Sequence, residues 1–223
     1  MLPMLVSRRS ILAGIAMLPL AAHAAERDRL LAGLGDWTIE AEDSRAQVTL
    51  RAGVLDVDTP KGITLWFRRM LHAPVTISYE VMAVDDGGPN DAVSDVNAFW
   101  MARNRDGSPV LGRPRGGAFA DYDDMLAYYV GIGGNRNTTT RFRRYVGRPG
   151  DRPLLPENDR AGASLLRPNR SIRIRLIADR HGTIVERDGT VLFRFDDPAP
   201  YTSGHFGLRT TKSHLRFRHL VIS

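Results

Sequence analysis

From Trp37 onward, apolar and polar residues alternate at a period close to two, in short runs punctuated by Gly and Pro, and the 3.6-residue period of an amphipathic helix is nearly absent. Runs at 37–42, 47–51 and 54–57 open the series. Two longer ones, 62–71 and 75–84, are joined through His72-Ala73-Pro74, and 97–102, 126–132 and 139–146 follow between Gly-rich stretches. The pattern is clearest at the end: 171–178, 183–187 and 190–195, with Arg187-Asp188-Gly189 as a hairpin turn, then 204–210 and 215–222. The one helix candidate is 26–32. Many short strands with Gly- and Pro-rich turns predict an all-β fold, two antiparallel sheets packed face to face or a barrel. Its core should draw on Val57, Ile63, Leu65, Ile77, Ile172, Ile174, Leu176, Leu192 and Phe206.

The first 24 residues follow another logic. Arg8-Arg9 precede an apolar run over 13–22, and Ala22-His23-Ala24 offers small residues at a cleavage site, the pattern of a twin-arginine signal peptide. The run falls short of the roughly 20 apolar residues that span a bilayer. The expectation is an exported protein, periplasmic or secreted, with no membrane attachment after signal removal and one domain over 25–223.

Composition narrows the chemistry. Among 223 residues there is no cysteine, which removes disulfides, thiolate nucleophiles and Cys-ligated zinc or iron–sulfur sites. Of 31 basic residues against 25 acidic ones, Arg8 and Arg9 leave with the signal peptide, and the small remaining excess gives no reason to expect a nucleic-acid partner. Lys61 and Lys212 are the only lysines. The remaining basic residues are arginines, suited to holding planar carboxylates by two parallel hydrogen bonds.

Two segments concentrate reactive and binding groups. In 128–145, two tyrosines, a Gly-rich turn and Asn135-Arg136-Asn137 precede a strand whose alternation sends Thr140, Phe142 and Arg144 to one face and Thr139, Arg141, Arg143 and Tyr145 to the other. Rings that stack on sugars, amides that bond hydroxyls and arginines that hold uronate carboxylates make an acidic-saccharide groove; the alternative is a solvated arginine-rich strand. Gly131-Ile132-Gly133-Gly134 is no dinucleotide fingerprint, because a strand follows it rather than a helix. In 94–101, Asp95, Asn97 and Phe99 alternate with Val96, Ala98 and Trp100, although Asp and Asn also cap turns there. No cofactor is expected. Asp85, Asp86, Asn90, Asp91 and Asp95 are hard oxygen donors that keep a structural calcium ion open, without the EF-hand spacing. The spacings His-x-x-x-His, His-Glu-x-x-His and Gly-x-Ser-x-Gly are absent, leaving His72, His181, His205, His214 and His219 as isolated acid–base candidates.

The segments 94–102, 128–145, 152–157 and 206–210, followed by Ser213-His214, together resemble a family of exported bacterial and fungal proteins within the concanavalin A-like lectin and glucanase superfamily. The resemblance runs from Trp37 to the end and implies a jelly-roll sandwich that binds carbohydrate on a curved sheet; it implies no particular reaction. Three functions are consistent with it. In β-elimination on a uronate-containing glycan, Arg141, Arg144 and Asn135 neutralise the carboxylate, while Tyr129, Tyr145, His72 or His214 moves protons; a tyrosine base must have its pKa lowered by arginine. A glycoside hydrolase needs two carboxyl groups roughly 5–9.5 Å apart, for which Asp95 and Glu157 are conceivable. A binding module needs only rings and arginines. The expected partner is an acidic polysaccharide or oligosaccharide. The expected site gathers Tyr129, Arg141, Tyr145 and His214 as catalytic residues and Asp95, Asn97, Trp100, Asn135, Arg144 and Arg209 as substrate-binding ones.

Overall fold

The computed structural model describes residues 28–29, 33–160 and 162–223; the segment 1–24, expected to be a signal peptide, lies outside them. The described chain forms two antiparallel sheets. Sheet I runs β14 (Thr190–Asp196), β13 (Gly182–Arg187), β12 (Ile172–Ala178), β7 (Val75–Ala83), β16 (Ser213–Ile222), β4 (Val54–Thr59) and β3 (Gln47–Arg51), with β1 (Asp28–Arg29) beside β16. Sheet II runs β11 (Leu154–Arg160), β10 (Thr139–Val146), β9 (Met125–Gly133), β8 (Val96–Asn104), β15 (Ser203–Thr210), β5 (Ile63–Phe67) and β2 (Trp37–Ala41), with β6 (Leu71–His72) beside β15. Asp28–Arg29 is extended, which corrects the helix expected around it. Among the described residues no helix is long and apolar enough to cross a membrane.

Alternation builds the sandwich as expected. The inward residues of β7 and β12 (Ile77, Tyr79, Val81, Ile172, Ile174 and Leu176) are buried against Leu65, Phe206 and Leu208 of sheet II. Every core residue expected from sequence is buried except Leu192, which packs against the core partly exposed. Asp188 (φ 51) and Gly189 (φ 83) form the two-residue turn between β13 and β14, where left-handed backbone matches the strand twist. β11 escaped the pattern because Pro156 interrupts it; it pairs with β10 alone, and an edge strand tolerates a missing N–H.

Two residues expected at the site instead tie the layers together. Trp100 is fully buried between the sheets and donates from Nε1 to Thr183 Oγ1 at 2.9 Å. Arg144 donates from Nε to Asp197 Oδ2 at 2.7 Å, where Tyr128 OH also donates at 2.7 Å, and lies 4.3 Å from the centre of the Tyr201 ring. Burial alone would raise the Asp197 pKa, but the hydrogen bonds from Arg144 and Tyr128 outweigh it and hold the carboxyl below its ordinary value. A carboxyl depressed in the folded state adds stability above its unfolded pKa of about 4 and loses it as pH falls through the folded value. Urea midpoints of the wild type and Asp197→Asn should therefore differ most near pH 7 and converge below about pH 4; a constant gap would refute the assignment.

Candidate functional site

Register lays the site out in rows across the outer face of sheet II. Thr64, Arg209, Asn97, Gly131 and Arg141 stand side by side on β5, β15, β8, β9 and β10. The next row holds Trp66, Gly207, Phe99, Tyr129 and Arg143, and Ala127 and Tyr145 pair in the third. The glycines make room: a Cβ on Gly131 would lie 2.6 Å from the Tyr129 hydroxyl, and one on Gly207 would lie 2.6 Å from the Trp66 ring.

This face is not open. The connection 105–124 crosses it and forms a second apolar cluster, in which Val110 and Tyr122 are buried against Trp66, Phe99, Tyr129 and Tyr145. Glu40 on β2 fastens it. Its Oε2 accepts Trp66 Nε1–H and Tyr122 OH, both at 2.8 Å, and its Oε1 accepts the Arg115 amide at 2.8 Å. Gly117 lies against β2 so closely that a Cβ there would stand 2.6 Å from the Glu42 nitrogen.

Beyond Phe119 the covering stops and a cleft of about 310 Å³ remains, lined by Phe119, Tyr129, Gly131, Asp95, Thr211, Arg141 and Arg143, with Asn135 and Arg136 at its rim. The rim is strained. Asn135 (φ 52), Arg136 (φ 58) and Asn137 (φ 59) make one turn of left-handed backbone, a conformation costing roughly 1–2 kcal/mol per residue with a side chain. Asn137 holds the turn, accepting the Leu166 amide at 2.8 Å and donating to the Leu166 carbonyl at 3.0 Å. Strain so over-determined is a feature of binding sites.

Asp95 is the only carboxylate lining the cleft among the described residues. It is engaged: Thr211 Oγ1 donates to it at 2.6 Å and Ser94 Oγ at 2.5 Å. Burial drives the Tyr129 phenol far above its ordinary pKa, with Tyr145 and Asp95 adding to the rise and Arg209 and Arg143 reversing only part. Burial likewise pushes Tyr145 up to about 12, although Arg143 and Arg152 oppose it. Both phenols stay protonated at neutral pH. They can donate hydrogen bonds, but they cannot be the resting bases that elimination requires.

Of the ten expected site residues, Asp95, Tyr129, Asn135 and Arg141 line the cleft, and Asn97, Tyr145 and Arg209 are buried in the same face beneath it or beside it. Three do not join them. Trp100 and Arg144 project from the opposite side of sheet II, because the bulge at Met101 (φ 53) comes after Trp100 and the β9–β10 register is continuous through Arg144. His214 belongs to sheet I, its ring nitrogens 3.0 Å from Asp91 Oδ1 and 2.9 Å from Asp56 Oδ1, where it ties the 85–94 loop to β4. His72 is exposed at the far end of β15. The side chain of Glu157 lies outside the described residues. Phe119, Arg136, Arg143 and Thr211 were not expected at the site. Alternation had placed Arg143 on the correct face, but only the fold brings the 105–124 connection over it.

The acidic loop is committed elsewhere. Asp91 Oδ2 accepts the amides of Asp86 and Gly88 at 2.8 and 2.9 Å, and Asn90 donates to Asp58 at 2.8 Å. Among the described residues no three His, Asp or Glu side chains converge as a metal site. Two wider hollows on sheet I are lined by Arg173 and Arg175, but Arg173 pairs there with Glu80 at 2.9 Å and Arg175 with Glu186 at 2.5 Å, so the charges of these two are internally compensated.

Two layers of antiparallel strands, a covered outer face and a cleft at its edge define a galectin-like jelly-roll sandwich. The chain belongs to the family described as a domain of unknown function (DUF6250), whose model matches residues 57–220. Among curated proteins none matches it in sequence. Similar solved structures include a Bacillus subtilis protein of unknown function with a galectin-like fold, at TM-score 0.66 and 16% identity over 89% of this chain and 94% of that one. The carbohydrate-binding module CBM66 from Bacillus subtilis superposes at TM-score 0.56 and 10% identity, covering 83% of this chain and 93% of the module. The metal-free carbohydrate recognition domain of Emp46p does so at 0.58 and 14%, covering 85% and 88%. At these identities the likeness is one of fold.

Proposed function

We propose that this protein is an exported carbohydrate-binding protein, periplasmic or secreted, whose cleft on sheet II takes an acidic, uronate-containing saccharide. The observation that carries the reading is the lining of the cleft. Arginines 136, 141 and 143 stand around two aromatic rings, with one carboxylate already held by Ser94 and Thr211. Rings supply stacking for a pyranose, arginines supply forked donors for its carboxylate, and Asn135 supplies an amide for hydroxyls. Recognition of sugars by two of the structural neighbours agrees with this in kind.

Binding is favoured over catalysis. β-Elimination needs a base beside the C5 proton, and the phenols in reach are held protonated by burial. Hydrolysis needs a second carboxyl partner for Asp95, and the described lining of the cleft supplies none. Calorimetry on purified mature protein with polyuronates and matched neutral glycans should show binding to the acidic set. Arg143→Gln should weaken that binding roughly 10- to 100-fold, the range for a lost charged hydrogen bond. Ultraviolet absorbance and reducing ends followed in the same mixtures should stay flat. A rising absorbance would replace the binding reading with a lyase, new reducing ends without it would indicate a hydrolase, and no binding to any glycan of a broad panel would sink it.

A further inference from the structure

Where the chain crosses from sheet II to sheet I, between the end of β11 and the start of β12, a second hollow of about 540 Å³ opens at the edge of the sandwich. It shares no lining residue with the cleft. Ile172, Val191 and Leu192 form an apolar wall, on which Val191 is 49% exposed. The opposing lining is cationic, made of Arg160, Arg167, Arg170 and Arg187, with Asp188 as its single carboxylate among the described residues.

Arg187 is built in. Its side chain is 14% exposed, and it donates from Nη1 to the Ser164 carbonyl and from Nη2 to the Leu165 carbonyl at 3.1 Å, fixing the turn that closes the hollow. Burial lowers its pKa and the charges of Arg167 and Arg170 lower it further, while Asp188, 3.5 Å from its Nε, offsets only part. Three like charges therefore stand close enough to repel one another. Asp188 is otherwise committed, accepting the Arg173 amide at 2.8 Å. Arg167 and Arg170 are exposed, and no carboxylate of the described residues pairs with either. Even without Arg160, whose guanidinium carbon lies 5.6 Å from the centre of the Phe193 ring, three guanidiniums face one carboxylate, a net +2. Charges that guard a sheet edge against pairing stand singly in solvent, as exposed Arg194 does on β14. These four instead converge on one concavity from β11, from the 161–171 connection and from β13.

We propose that this hollow is a second binding site, for a soluble phosphate monoester, with the phosphate between Arg167 and Arg170 in the field of Arg187 and an apolar body against Val191 and Leu192. A phosphate monoester carries close to two negative charges at neutral pH, which matches the uncompensated charge, and guanidinium forks match its oxygens. The hollow lies within the roughly 300–1,000 Å³ range of small-ligand sites. The inference is independent of the saccharide reading of the cleft.

The test uses phenyl phosphate, phenyl sulfate and inorganic phosphate as probes, by calorimetry on the mature protein at about pH 8, where the phosphate ester is a dianion and the sulfate ester of the same body a monoanion. Phenyl phosphate should bind at least about tenfold more tightly than either of the others, since one lacks a charge and the other the apolar body. The double variant Arg167→Gln/Arg170→Gln, at exposed positions, should lose about 30-fold or more in affinity for phenyl phosphate without a fall in urea midpoint. Val191→Ser should erase the advantage of phenyl over inorganic phosphate and leave inorganic phosphate binding as it was. Phenyl sulfate binding as tightly as phenyl phosphate overturns the dianion assignment. Affinity retained in the folded double variant, or no binding of any probe, overturns the site. Arg143→Gln, which alters the cleft, should leave phenyl phosphate affinity unchanged; a loss there would put the probe in the cleft and overturn the second site. Vesicles containing phosphatidic acid should not sediment the protein, because Val191 is the one exposed large apolar residue of the described lining. Sedimentation lost in the double variant would make the phosphate a lipid headgroup and overturn the soluble ester.

Discussion

Glu40→Ala is expected to destabilise the protein by roughly 3–5 kcal/mol, the scale for leaving three buried donors without their acceptor. Glu40 is 6% exposed and receives three hydrogen bonds of 2.8 Å, from the Trp66 indole, the Tyr122 hydroxyl and the Arg115 amide. Alanine leaves those donors unpaired at about 1–3 kcal/mol each, offset in part because a buried carboxylate no longer has to be desolvated. Against a total stability of order 5–15 kcal/mol the loss is large. Its location matters as much as its size. Two of the three donors fasten the 105–124 connection, and the third is the indole beneath it, so protease cleavage within 105–124 should accelerate together with the fall in urea midpoint. Glu40→Gln should retain part of the stability, since its carbonyl still accepts but its amide faces donors. A loss under about 1 kcal/mol for Glu40→Ala would show that the connection is held by its apolar contacts alone.

Glu40 also marks where sequence reasoning stops. Period-two alternation identifies a strand whose faces meet different environments, and it placed β3 and β10 at their observed bounds and sent Arg141, Arg143 and Tyr145 to the correct face. It assumes that one face of each strand is wet. On sheet II both faces are covered, one by sheet I and the other by 105–124, and β5 is buried at all five positions. The run Ile63-Thr64-Leu65-Trp66-Phe67 carries that signal as apolarity broken only by Thr64, the near-continuous run that marks a strand enclosed on both sides. Nothing local distinguishes Glu40 from a solvated glutamate, because its partners are 26, 75 and 82 residues away. Trp100 and His214 were attractive as site residues for their chemistry. The first proves to be a core ring whose indole needs Thr183, and the second an imidazole of the other sheet held between Asp56 on β4 and Asp91 of the 85–94 loop.

Position 131 should separate binding from folding more sharply than any arginine. Gly131 lies in the middle of β9 in ordinary extended backbone, so a β-branched residue suits its conformation, and removing a strand glycine even recovers some backbone entropy. What it cannot accommodate is the neighbouring ring: a Cβ would stand 2.6 Å from the Tyr129 hydroxyl and 3.1 Å from Cε1 of the same ring. That ring is packed against Phe99 at 5.0 Å, Phe119 at 5.6 Å and Tyr145 at 5.8 Å between centroids. The direction left to the displaced phenol is outward, into the space the saccharide is proposed to fill. Gly131→Val should therefore cost stability only within the roughly 1–3 kcal/mol of overpacking, yet weaken saccharide binding by about 30-fold or more, with Gly131→Ala intermediate. Far-ultraviolet circular dichroism and urea midpoints establish that the variant is folded, and calorimetry against the best wild-type ligand reads the affinity. If folded Gly131→Val binds as tightly as the wild type, the saccharide does not occupy the space between Tyr129 and Asn97, and the cleft loses its claim to be the binding site.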